Sequence, residues 1–360
     1  MTVRKISGVL TFILALVLVQ PLDAQITPEL RWNPDRPDSR APISLTDGRT
    51  LKSGEVEFGL KYFNQKMKGL GYGSDSVPLL TVLNAYWASP SQMVTQGAEL
   101  NLMIGLTDRL TLSASGNFVR KEMVQAVMDL ETQGFYWLGK TESLGPEDVK
   151  VSALLKVLDQ AGFRFHLHAG VSIPVGLTDF DDFALDPEDP FGDPVEVILP
   201  YPQQLGSGTF DLLPGFTGSL QNEKATLGFQ WKGTVRLGDN DRGWALGDRY
   251  VTTIWGAYKA SEWASVSVGA KYMTWGDIEG FDTAFDTNTS LAYYNPAYEI
   301  GQTGRRVDIP LDFSFIVPQG PFSGYRLTVE YLMPVHQDLD YLQFRHGRTL
   351  TVGLQRALSF

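Results

Sequence analysis

The chain has 360 residues, 30 Lys and Arg against 41 Asp and Glu, a net charge of −11 and no cysteine. Without cysteine there is no disulfide framework, thiolate metal site, cysteine nucleophile or lipoprotein anchor. The acidic balance argues against nucleic-acid binding, which needs a basic face.

The N-terminus reads as a targeting segment. Arg4 and Lys5 precede an apolar stretch from Ile6 to Val19, and Leu22-Asp23-Ala24 offers a small residue before Gln25. Residues 1–24 are therefore expected to be a cleavable signal peptide, since the apolar run is shorter than the roughly 20 residues that span a bilayer. Four prolines between Pro28 and Pro42 forbid a helix. Residues 25–53 are expected to be an extended periplasmic leader, and residues 54–360 the folded part.

From Gly54 onward the period is two. Val56, Phe58, Leu60 and Tyr62 alternate with Glu55, Glu57, Gly59 and Lys61, the pattern of a half-apolar strand. Similar segments end at Ile104, run from Leu110 to Phe118, and continue as Val149–Val157 and Phe163–Val175. Further segments are Gly208–Ser219, Ala225–Leu237, Arg249–Ala260, Val266–Tyr272, Arg306–Val317, Tyr325–Met333 and Arg348–Phe360. Short turns near 106–108, 159–162, 221–224, 260–262 and 318–323 alternate with long polar loops near 67–93, 124–146, 177–206, 238–248, 277–304 and 336–346. Strands of about 9–11 tilted residues cross a bilayer, and such loop alternation marks a membrane barrel. The expected fold is all-β, a transmembrane antiparallel up-and-down β-barrel of about 12 strands, or 14 if Pro78–Ala88 adds a pair. Its short turns are periplasmic and its long loops extracellular. An outer-membrane location follows, with the lipid bilayer as a partner. Tyr62, Trp87, Trp231, Trp255, Trp263, Tyr272, Trp275, Tyr325 and Tyr331 are candidates for aromatic girdles.

Inward parity collects both signs. The basic set is Lys61, Lys150, Lys156, Arg164, Lys232, Arg236, Lys271, Arg306 and Arg326; the acidic set is Glu55, Glu57, Glu99, Asp308, Asp312 and Glu330. A basic lumen favours anionic solutes, whereas pairing across the lumen braces the wall. His166 and His168 share a strand face and make a metal half-site at most, with no further ligand placed. No Gly-x-Ser-x-Gly elbow occurs, leaving an outer-membrane hydrolase with only a loose Ser–His option. The acidic loop holding Asp179, Asp181, Asp182, Asp186, Glu188, Asp189, Asp193 and Glu196 lacks EF-hand spacing and reads as a solvated surface loop. No cofactor is expected. Phe180–Gly206 is the strongest candidate for an inward-folding plug.

Two short motifs are more specific. Gln203-Gln204-Leu205-Gly206-Ser207-Gly208-Thr209-Phe210-Asp211 and Asp35-Arg36-Pro37-Asp38 resemble segments of the outer-membrane family named after the meta-pathway of phenol degradation. Phe210 stands where that family usually has Trp. The resemblance implies a porin-like channel or transporter for small organic solutes, aromatic or hydrophobic ones included, with Asp211 facing the lumen or loops. Phe360, on an alternating strand, resembles the signal read by barrel-insertion machinery.

Overall fold

The computed structural model describes residues 32–86, 88–128, 135–184, 193–285 and 301–360. The expected signal peptide and the girdle candidate Trp87 lie outside them. The strands are β1 (Glu55–Gly73), β2 (Asp75–Val77), β3 (Ala88–Gly105), β4 (Leu110–Met128), β5 (Phe135–Pro146), β6 (Val149–Gln160), β7 (Phe163–Ile173), β8 (Asp181–Ala184) and β9 (Val195–Ile198). They continue as β10 (Asp211–Leu212), β11 (Gly215–Gln221), β12 (Ala225–Arg236), β13 (Trp244–Ala245), β14 (Arg249–Lys259), β15 (Ala264–Trp275), β16 (Glu279–Gly280), β17 (Gly304–Ile316) and β18 (Arg326–Ser359). One short helix, α1, spans Leu79–Leu83.

Hydrogen bonding closes a ring in the order β1-β3-β4-β6-β7-β11-β12-β14-β15-β17-β18 and back to β1, antiparallel throughout. β2, β5 and β10 bond to this ring from β1, β4 and the β7–β12 gap. β18 has 34 residues, which would reach about 110 Å if straight. It folds back instead. Its first part pairs with β17 and its last part with β1. Gln337 and His346 exchange hydrogen bonds at 2.8 Å, and Arg348 sits over the Tyr331 ring. β18 is thus two staves, and the barrel has twelve, as the alternation predicted.

Short turns gather at one end. Lys156 N donates to Arg109 O, Gln221 N to Gly162 O, Lys259 N to Lys224 O, and Ile316 N to Trp263 O. Phe360 N reaches Gly54 O at the same end. The long connections at the other end are more structured than expected. The 124–146 region holds the end of β4 paired with β5, which extends the wall beyond the ring. Pro78–Ala88 contributes α1 rather than a strand pair, because Pro78 fits just ahead of a helix and Leu79–Leu83 bury Val82 and Leu83. The expected Gly208–Ser219 strand is broken at Leu213-Pro214 into β10 and β11, since Pro offers no N–H to a ladder.

The wall is inverted relative to a water-soluble barrel. On β1, Phe58, Leu60 and Tyr62 are 52%, 49% and 50% exposed, while Glu57 and Lys61 are 2% and 5% exposed. Leu100, Phe118, Leu227, Ile254 and Val268 continue the apolar belt. Such a surface is stable against lipid, and closure satisfies the backbone inside it. Trp255 and Trp275 depart from the girdle expectation: they share the inward parity of buried Thr253 and Met273.

Candidate functional site: the barrel lumen

The described part of the leader, residues 32–53, does not stand apart from the barrel. It packs across the lumen at the short-turn end. Asn33 N donates to Gln221 Oε1 at 2.7 Å. A 3₁₀ turn at Pro37–Ser39 buries Asp38, whose Oδ2 accepts from Thr226 Oγ1 at 2.9 Å. The Arg326 guanidinium donates to the Pro37 and Arg36 carbonyls. Ile43 N donates to Asp312 Oδ2 at 3.1 Å and Ser44 N to Glu330 Oε2 at 3.2 Å. Asp47 Oδ2 meets Lys232 Nζ at 2.7 Å. Arg40 and Arg49 both contact Glu57. Leu51 then packs with Met103 and Leu154. The segment touches β1, β4, β7, β11, β12, β17 and β18 before entering β1. Ile43 seats over Gly353, where a Cβ would collide with its side chain.

The sequence-predicted lumen residues separate into three levels. At the short-turn end Lys156 and Arg164 share Asp159, each at 3.0 Å. His166 and His168 stack at 4.8 Å, and His166 Nε2 contacts Asp47 O at 2.9 Å. No group of three metal-ligating side chains occurs among the described residues. Thr217 Oγ1 lies 2.9 Å from His168 Nε2, but His168 Nδ1 has no hydrogen-bond partner, so nothing orients the imidazole as a base.

Above the N-terminal segment, Arg306 pairs with Asp308 at 2.9 Å and Arg236 with Asp211 at 2.5 Å. Lys150 and Lys271 stand without an ion pair among the described residues. Arg249 joins them, a residue the sequence reading passed over. Its inward parity with Thr253 and Trp255 was the available signal.

The third level is the 199–210 loop, which folds onto the inner wall and includes the C-terminal part of the candidate plug Phe180–Gly206. Asp186, Glu188 and Asp189 of that candidate segment lie outside the described residues. Lys121 Nζ donates to Gln204 O at 2.6 Å, and Ser143 Oγ to Gln203 O at 2.6 Å. Gly206 lies flat against Gly176, leaving no room for a Cβ on either. Ser207 Oγ donates to Asp148 at 2.6 Å and Thr209 Oγ1 to Asp211 at 2.7 Å. The Gly-Ser-Gly-Thr-Phe-Asp run therefore ties a long loop to β6, β7 and β12. Beyond it, Tyr201, Trp244 and Phe285 form a small core, clamped by Arg242 and Asp282 at 2.6 Å. A hollow of about 550 Å³ between Leu220, Leu227, Ile254 and Val268 lies on the outer, lipid-facing wall, apart from these charges.

No family model and no curated protein sequence matches the chain. Among solved structures it is similar to an outer membrane channel from Pseudomonas putida F1, at 14% identity and a TM-score of 0.57, covering 87% of this chain and 99% of that one. It also matches a Pseudomonas aeruginosa FadL homologue at 10% identity and a TM-score of 0.43, covering 90% and 93%. A match to the P. putida toluene transporter TodX has 10% identity and a TM-score of 0.41, covering 90% and 92%.

Proposed function

We propose that the chain is an outer-membrane channel that passes small organic solutes through its lumen, aromatic and hydrophobic compounds among them. The carrying observation is an apolar, lipid-facing wall around a charged interior in which Lys150 and Arg249 remain accessible to water. A wall of this kind belongs in an outer membrane. The fold shared with the P. putida F1 channel and the two motifs resembling the phenol meta-pathway family support the reading. Residues 1–24 then direct export, the short-turn end is periplasmic, and the structured long loops are extracellular. Barrel-insertion machinery reads the strand ending at Phe360.

The N-terminal segment favours a gated form of this reading, because it crosses the lumen. It also supports a second reading, a permanently plugged barrel whose loops bind partners. Single-channel conductance and liposome swelling on refolded protein distinguish the two, using simple ions, sugars and benzyl alcohol. Steady conductance with faster entry of one solute class supports the channel. A folded barrel that passes nothing, even when the Asp47–Lys232 pair is removed, overturns it in favour of the plugged barrel.

A further inference from the structure

Most lumen charges are neutralised at contact distance: Lys232 by Asp47, Arg236 by Asp211, Arg306 by Asp308 and Lys61 by Glu99. Lys150 on β6, Arg249 on β14 and Lys271 on β15 are different. Among the described residues, none of these side chains has an ion-pair or hydrogen-bond partner. Each shares parity with buried inward residues: Lys150 with Ser152, Arg249 with Thr253, Lys271 with Met273. Lys150 and Arg249 are exposed although the wall encloses them, so the lumen has open space at this level. Arg249 is the centre of the group, within electrostatic range of Lys150, Lys271 and Arg306.

The acids facing this group are only partly committed elsewhere, since Asp308 Oδ1 and Glu330 Oε1 are buried without a hydrogen-bond partner. Glu99 and Glu147 are bound by Lys61 and Lys121, and Asp308 by Arg306. Glu330 faces Lys271, with one oxygen on Ser44 N. A second, independent feature points into the same space. Arg306 is only 5% exposed, yet its Nη1 has no hydrogen-bond partner, and a buried donor left unmade is costly. Trp275 lies opposite Arg249 in the β14–β15 register, with its ring edge-on to His346 at 6.0 Å.

The geometry points to an anion-binding chamber inside the long-loop ends of β6, β14, β15 and β17, where Arg249, Lys150, Lys271 and the free arm of Arg306 hold the carboxylate of a small organic acid, and Trp275 receives its hydrocarbon part. The guanidinium fork matches a carboxylate. Glu330 and Asp308 nearby disfavour a multiply charged anion such as phosphate. Passage of the bound acid rests on the channel reading; binding itself does not.

Isothermal titration of benzoate and benzyl alcohol into refolded full-length protein tests this. The variants are Arg249→Gln alone and the triple Lys150→Gln, Arg249→Gln, Lys271→Gln, with Lys259→Gln, at the short-turn end of β14 and paired with Glu262, as control. Heat-modifiable gel mobility reports folding, and the single variant carries the test if the triple one fails it. The wild type and control bind benzoate, more weakly in high salt. Arg249→Gln weakens binding several-fold and the triple variant about tenfold or more, while benzyl alcohol is indifferent to all three. Absence of benzoate binding to the folded wild type, its retention in the variants, or equal displacement by inorganic phosphate overturns the inference. Liposome swelling with the same solutes reads the channel separately. Bound benzoate without flux of any solute sinks the channel reading and leaves the chamber standing.

Discussion

Asp47 Oδ2 lies 2.7 Å from Lys232 Nζ, joining the N-terminal segment to the middle of β12. The same lysine donates to Thr46 Oγ1 at 2.8 Å, and Gln230 Nε2 to Thr46 O at 2.9 Å. These contacts hold the segment at its deepest point. Replacing Asp47 by Asn leaves Lys232 without its counter-charge; breaking such a pair costs about 1–3 kcal/mol. Segment seating then weakens by about fivefold to a hundredfold, since 1.4 kcal/mol is a factor of ten. Single-channel recordings of Asp47→Asn are expected to show more frequent openings than the wild type, and Lys232→Met should reproduce them. Unchanged recordings in both variants count against the segment as a gate.

The same pair sets how the seating of the segment answers to pH. Burial alone would raise the Asp47 carboxyl, but Lys232 and then His168, with hydrogen bonds from Lys232 and Ser113, outweigh it and hold it well below its usual 3.8. A depressed carboxylate adds stability that is present above its unfolded value and lost as pH falls through its folded one. The part of seating that rests on this pair is therefore constant from about pH 5 upward and declines only below about pH 4. The difference in conductance between wild type and Asp47→Asn, measured from pH 7 down to pH 3, should stay constant until that point and then shrink. The Asp47→Asn variant should lack this decline in seating, and a transition near pH 6 would assign the gate to another group.

The barrel itself was legible because its signal is local. Alternation such as Phe58-Leu60-Tyr62 against Glu57-Lys61 needs only neighbours in sequence, and a stave in lipid must follow it. The twelve staves followed from that period. What the period does not encode is the path of a segment with no period. Residues 32–53 are rich in proline and charge, and their place in the lumen depends on partners such as Thr226, Asp312 and Arg326, far away in sequence. Parity placed the lumen charges on one face, the face on which Glu57, Lys61, Asp308, Asp312 and Glu330 are buried. Which of them pair was beyond reach: Asp47, partner to Lys232, lies in the segment read as leader. Arg249 was missed because it opens its strand, where parity has least support. Trp255 and Trp275 show the converse error, since an aromatic near a strand end fits a girdle and a lumen equally well.

At the long-loop end, Trp244 is fully buried between Tyr201 and Phe285, with rings 4.9 Å apart from Tyr201, and its Nε1 donates to Asp282 at 3.2 Å. Its truncation to Ala removes the centre of this small core, a loss of about 3–5 kcal/mol for a buried Trp. The barrel hydrogen bonds do not pass through it. Trp244→Ala is expected to expose the 237–248 loop to limited proteolysis while heat-modifiable mobility stays that of wild type. Loss of the mobility shift would mean that the loop core is needed for the barrel to close.

Gln337 bridges the fold of β18. Its Nε2 donates to His346 O and its Oε1 accepts from His346 N, both at 2.8 Å, which joins the stave beside β17 to the stave beside β1. The side chain is nearly buried, so Gln337→Ala leaves two backbone groups unmet, at about 1–3 kcal/mol each. Outer-wall contacts persist lower in the hairpin, where Arg348 covers Tyr331 and Arg356 covers Tyr325. The loss should therefore stay local to the long-loop end. Hydrogen exchange is expected to rise across 337–346 and to remain slow near Thr328 and Val352. Faster exchange along the whole of β18 would show instead that this one side chain holds the seam where the barrel closes.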